Sequence, residues 1–202
     1  MIPRYQKILF VILLIASLGM GFKLWQLRDR AHKRLLAGEV TAPTAAPVVA
    51  PAEQATLVAA NDMDNSLLPQ VHSLPLPVDP GARARTILGK LLDLYAAPES
   101  THPVPGGAAS VEQVFLMPAP GNKNRSDQLA VVNLSGTFAA SHPSGLETES
   151  LTVLSICSTL KANLPTVTEV RFLVDGQQRP TLAGHADLTR TYLTPAMEGG
   201  GL

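Results

Sequence analysis

The chain has 202 residues, 16 Lys and Arg against 16 Asp and Glu, 17 prolines and one cysteine. That length admits one globular domain with attachments, a lone cysteine excludes an intrachain disulfide, and no cysteine near the N-terminus is available to carry a lipid. The zero net charge hides an asymmetry: seven basic residues precede Leu36 beside one acid, Asp29, leaving nine basic against 15 acidic residues. A mildly acidic remainder argues against nucleic-acid binding, which needs a basic patch.

Residues Ile8 to Phe22 form an uncharged apolar run bracketed by Lys7 and Lys23. As a helix it spans ~22 Å at 1.5 Å per residue, short of a ~30 Å hydrocarbon core. Leu24, Trp25 and Leu27 extend it, and the flanking lysines can snorkel. No small-x-small cleavage site follows, and the amphipathic continuation LWQLRDRAHKRLL does, so residues 1–36 read as an uncleaved single-pass membrane anchor with a basic juxtamembrane helix. The basic flank after the run would by itself place the rest of the chain in the cytoplasm. Residues 37–55, alanine with spaced prolines, read as a disordered semi-extended tether, and 196–202 as a flexible tail.

The domain, residues 56–195, opens with a hairpin: Thr56 to Ala60 and Leu67 to Val71 around the polar loop Asn61 to Ser66. Asp62 and Asp64 in that loop lack the glycine and distant glutamate of a calcium loop. Asp79 as cap and Pro80 at the first helical position start a helix to about Tyr95, with Ile87, Leu88, Leu91, Leu92 and Tyr95 on its core face and Arg83, Arg85 and Lys90 outward. Val114 to Met117 and Leu129 to Ser135 give two more strands around a polar turn, Gly121 to Asp127, with Ala130, Val132 and Leu134 on one face.

Ser144 and Glu147 form a capping-box pattern. Val153, Ile156, Cys157, Leu160 and Leu164 then lay one apolar stripe along a helix, with Ser155, Ser158, Thr159 and Lys161 largely outside it. Asn163 tolerates a left-handed conformation and Pro165 stops the helix. In Thr168 to Asp175, Val170, Phe172 and Val174 alternate with Glu169, Arg171 and Leu173 as in a strand with one buried face, and Asp175-Gly176 turns the chain. The order strand, strand, helix, strand, strand, helix, strand predicts an α+β fold, a mixed sheet with two helices packed on one face.

The string LAVVNLSGTF from Leu129, the helix LTVLSICSTLKANLP, the strand VTEVRFLVDG and the closing TLAGHADL together resemble the sporulation and spore-germination domain GerMN. The resemblance covers roughly the last 145 residues. Where that family usually has an aspartate, this chain has Asn133, which weakens any charge-based role there and leaves the strand intact. The resemblance implies an envelope-facing module, placing the domain outside the cytoplasm against the flank charges, and non-enzymatic assembly in sporulation, germination or cell-wall-associated complexes. Asp175, Gly176, Thr181, Leu182, Gly184 and His185 are the candidate interaction turn, with other envelope proteins or a second copy as partners.

Each potential catalytic group also has a plain structural reading. Cys157 lies on the apolar stripe, where a buried small side chain fits and a thiolate is disfavoured. His185 and Asp187 would give two metal ligands, too few for a site, and a turn whose imidazole caps a backbone group is the simpler reading. Ser135, Ser141 and Ser155 lack a nucleophile elbow, and His32, His72, His102 and His142 are scattered through linker and loops. No enzyme, no metal and no cofactor is expected. Peptidoglycan binding is the alternative, although Tyr95, Phe115, Phe138, Phe172 and Tyr192 are few aromatics for a sugar face and several fall on core positions.

Overall fold

Alternating small apolar residues put Ala55, Leu57 and Ala59 on one face of the first strand, and that face is buried. The computed structural model describes residues 17–21, 23, 52–120 and 126–195. The chain divides into two units, Met1–Val48 and Val49–Leu202. In the first, residues 17–21 and 23 are helical and exposed. Among the described residues no helix is long and apolar enough to cross a membrane. Most of the anchor read at Ile8 to Phe22, the basic helix after it, most of the tether, the turn residues 121–125 and the tail lie outside the described residues.

In the second unit β1 (Ala52–Asn61) pairs antiparallel with β2 (Ser66–Pro75), so strand structure begins within the stretch read as tether. Helix α1 (Pro80–Ala96) starts where its cap and proline place it, with the Asp79 carboxylate accepting from Ala82 N at 2.7 Å. Ile87, Leu88, Leu91, Leu92 and Tyr95 are buried. A 3₁₀ turn, Gly107–Ser110, leads into β3 (Val111–Pro118), then β4 (Gln128–Leu134), a short α2 (Gly136–Ser141), α3 (Leu146–Asn163), β5 (Val167–Val174) and a two-residue β6 (Tyr192–Leu193). Strands run β3-β4-β5-β6, with β4 and β5 parallel and joined through α2 and α3. Parallel neighbours need such a crossover.

The fold is α+β, but the single mixed sheet is corrected to two sheets, because β1 does not pair with the four-stranded sheet. Its outer edge is closed by side chains instead. Thr56 N–H donates to Asn163 Oδ1 at 2.9 Å and Thr56 O accepts from Asn163 Nδ2 at 2.7 Å; Val58 N–H donates to Thr159 Oγ1 and Ala60 N–H to the Tyr95 hydroxyl, each at 2.9 Å. Amide, hydroxyl and phenol thus stand in for a missing strand and satisfy an edge that would otherwise invite pairing.

Two local expectations change for the same reason. Asn163 is not left-handed; positive φ among the described non-glycine residues occurs at Asn65 and Asp175, and Asn163 closes α3 while its amide clamps Thr56. Ser155 and Thr159 are fully buried rather than outside the stripe, since α3 meets β1, α1 and the sheet. Val153, Ile156, Cys157 and Leu160 are buried in one cluster with Phe172, Leu182 and Leu57.

Candidate functional site

A single carboxylate anchors the loop after β5 to the start of α3. Glu149, in the first turn of the helix, is fully buried. Its Oε2 accepts from the N–H groups of Ala183, His185 and Ala186 at 3.0, 2.9 and 2.8 Å; its Oε1 accepts from Gly145 N at 3.2 Å and the His185 Nδ1–H at 3.0 Å. Burial opposes the charge, yet the donors of Ala183, Ala186 and His185 overcome it and hold the carboxyl down at about 2. The capping-box reading is therefore shifted: Gly145 is the N-cap without a side-chain cap, Glu147 is exposed, and Glu149 reaches back.

The loop is closed by Leu182 N–H to Ala186 O and Leu188 N–H to Pro180 O, each at 3.0 Å, with Leu182 and Leu188 in the core and Thr181 bridged to Asp187. Gly184 sits at φ +127, a conformation costly for any residue with a Cβ. His185 projects outward with its side chain 47% exposed. The imidazole was expected to cap a backbone group, and it binds the Glu149 carboxylate instead because that acceptor is charged and buried beside it. Ser144 Oγ lies 3.4 Å from the same Nδ1, so serine and acid share one ring nitrogen and no relay through two nitrogens forms.

Asp175 and Gly176 make a separate anchor. With φ of 50 and 73 and reciprocal bonds between Val174 and Gln177, they form a two-residue turn of the primed type. Asp175 Oδ1 accepts from Gly136 N at 2.6 Å, tying the turn to the start of α2. Asn133 Oδ1 accepts from Gly176 N at 2.7 Å while its Nδ2 donates to Glu112 Oε2 at 2.6 Å. The amide at this position satisfies both, where an aspartate would face a second carboxylate. The six candidate turn residues thus fall at two places, Asp175 and Gly176 bonded to α2 and β4, and Thr181, Leu182, Gly184 and His185 in a loop held to α3 through Glu149 by the N–H groups of Ala183, His185 and Ala186 and by the His185 ring.

Residues that looked scattered also converge. His102 Nδ1 lies 2.5 Å from Asp62 Oδ1, and the Nε2 atoms of His102 and His142 lie 2.7 and 2.8 Å from one hydroxyl, Thr152 Oγ1. His102 and Thr152 are fully buried and His142 nearly so. Although Asp, His and hydroxyl are in series, the hydroxyl is closed off by the second imidazole. Burial pushes the Tyr95 phenol up to about 12 and the Cys157 thiol up to about 12, so neither is a ready nucleophile. Among the described residues no group of three His, Cys, Asp or Glu could hold a metal ion. Asp187 is occupied with Thr189 N and Oγ1. A cleft of about 460 Å³ along α1, lined by Leu74, Arg85, Lys90 and Asp93, includes neither His185 nor Cys157.

The profile of the family Germane, described as sporulation and spore germination, matches residues 59–180, more than half of the chain. The chain belongs to the Germane family. The Germane match begins within β1 and ends just before the TLAGHADL loop, so the Asp175-Gly176 turn and Glu149 lie inside it and His185 lies beyond it. No curated protein matches the chain. Among solved structures, the tandem GerMN domains of the sporulation protein GerM from Bacillus subtilis are 16% identical, with a TM-score of 0.43 over 71% of this chain and 46% of that one. The chain therefore spans less than half of that structure. The first GerMN domain of GerM from Bacillus subtilis is 17% identical, TM-score 0.39, over 70% and 97%; a candidate lipoprotein from Clostridium perfringens is 20% identical, TM-score 0.34, over 74% and 93%.

The TLAGHADL string pointed to the closing loop but not to what holds it. Glu149 could have been found as an acid one turn into the helix, in competition with Glu147. The Asp62, His102, His142 and Thr152 cluster has no local signal, since its members are far apart in sequence and only the fold joins them.

Proposed function

We propose that this Germane domain is a non-enzymatic contact module of the cell envelope, held at the membrane by its N-terminal segment with the domain on the extracytoplasmic side. The segment from Gly176 to His185, with the neighbouring sheet edges, is the surface by which it meets other envelope proteins or a second copy. One observation carries this reading: an exposed imidazole is fixed in direction by a buried carboxylate that also holds three loop N–H groups, giving a rigid polar projection. Preorganised projections of this kind lose little conformational freedom on binding. The family's description, sporulation and spore germination, supports an assembly role in those processes.

Crosslinking the full chain in its native membrane tests the proposal. Wild type is expected to yield a discrete adduct with itself or an envelope protein, and His185→Ala to lose it while melting at nearly the same temperature. A wild-type chain that yields no adduct and sediments with purified cell wall would favour peptidoglycan as the ligand. Phe115 is the exposed domain aromatic open to such a ligand, while Tyr95, Phe138, Phe172 and Tyr192 are buried. A reporter fused after Leu202 that functions on one side of the membrane tests the orientation.

A further inference from the structure

We infer that Asp62, His102, Thr152 and His142 form a proton-operated latch: it is closed with one proton shared by Asp62 and His102, and a second proton entering at His142 releases the hairpin turn and the turn after α2 from helix α3. The hydrogen positions follow from the acceptors. Pro143 O, 2.8 Å from His142 Nδ1, can only accept, so that nitrogen carries the hydrogen. Phe138 packs edge-on against the ring at 5.4 Å and the residue is 5% exposed, so the neutral ring is favoured and its Nε2 is a bare acceptor. Thr152 O–H is its donor. The threonine oxygen then accepts the His102 Nε2–H, and the remaining hydrogen lies between His102 Nδ1 and Asp62 Oδ1. Each donor and acceptor in the chain is used, and four segments are joined: the hairpin turn, the 97–106 loop, α3, and the turn after α2.

Among the ring nitrogens, a second proton can settle only on His142 Nε2. Thr152 O–H must then rotate to its other acceptor, Thr148 O at 3.1 Å, and the hydroxyl oxygen's two lone pairs take both imidazole N–H groups. The second proton thus costs no hydrogen bond but puts a charge on a buried ring that faces His102 across one oxygen. Burial is the main influence holding His142 below the ordinary histidine value, and His102 opposes the charge too; Pro143 O, Glu149 from α3 and Asp62 from the hairpin turn favour it. Tyr95 from α1 stands edge-on to His102 at 4.7 Å and is neutral. A histidine kept neutral in the folded chain takes up its proton more readily when unfolded, so the latch weakens as pH falls through about 6.5.

The test uses the full chain. Long-range ¹H–¹⁵N spectra at pH 7.5 are expected to show His142 as the Nδ1–H tautomer. Between pH 7.5 and 5.5 the melting temperature should fall by about 2–4 °C, with amide exchange rising first in residues 61–66 and 141–145. His142→Gln, whose amide oxygen can accept from Thr152 but takes no proton, should lose that slope. Equal slopes in wild type and variant, or an imidazolium or Nε2–H form of His142 at pH 7.5, would overturn the latch. Should the variant not fold, the wild-type tautomer and the order of amide exchange still decide, and uniform acceleration across the domain counts against it.

Discussion

Two polar joints stand one helical turn apart on α3, and they are built on opposite terms. At Glu149 a fixed charge collects backbone N–H groups, and those donors hold the carboxyl down at about 2. At Thr152 a neutral hydroxyl mediates between two imidazoles, one of them held neutral by burial. Backbone donors cannot change their protonation, so the first joint is locked over the physiological range. Imidazoles can, so the second responds to its surroundings. The contrast separates the part of the domain proposed to present a surface from the part proposed to loosen.

The largest way to break the comparison is at the locked joint. Glu149→Ala leaves three loop N–H groups and Gly145 N–H without their acceptor in a buried site, and should cost about 3 kcal/mol or more by urea unfolding. Glu149→Gln keeps one carbonyl oxygen and should lie between wild type and Ala. The acid dependence follows. Because the folded carboxyl titrates at about 2 and the unfolded one near 4.5, this stability is complete above 4.5 and is lost as pH falls from there toward 2. Denaturant midpoints at pH 5 and pH 3 should show a drop in wild type that is much reduced in Glu149→Gln. Next in size is Thr152→Val, which keeps the shape and removes the shared hydroxyl, leaving two ring nitrogens unpartnered at a cost of about 1–3 kcal/mol. Thr152→Ser should restore most of it, which a loss of packing alone would not predict.

These joints were the least legible part of the sequence, while the elements they connect were largely legible. Helix α1 could be read because Asp79, Pro80 and the Ile87, Leu88, Leu91 repeat are local signals that act within one turn. Strand β5 could be read because Val170, Phe172 and Val174 alternate, and the Asp175-Gly176 turn because its two left-handed residues suit that pair. The separate hairpin could not. Nothing in the residues of β1 says whether its edge meets a strand or, as here, the side chains of Asn163 and Thr159 more than a hundred residues away. The short α2 was missed because Gly136 to Ser141 has less than two turns in which to show a period, and Ser135, read as a strand end, is its cap.

The smallest expected effect divides stability from contact. His185→Ala removes one of five donors to Glu149, and the one nearest water, so a solvent molecule can take its place on Oε1. Three loop N–H groups still reach Oε2 at their present distances, and the core residues Leu182 and Leu188 still seat the loop. The unfolding free energy should therefore change by less than about 1 kcal/mol, whereas the adduct with the envelope partner should be lost. A change as large as that of Glu149→Ala would mean that the imidazole is a structural strut, and the loop would then be a joint between elements and no surface for another protein.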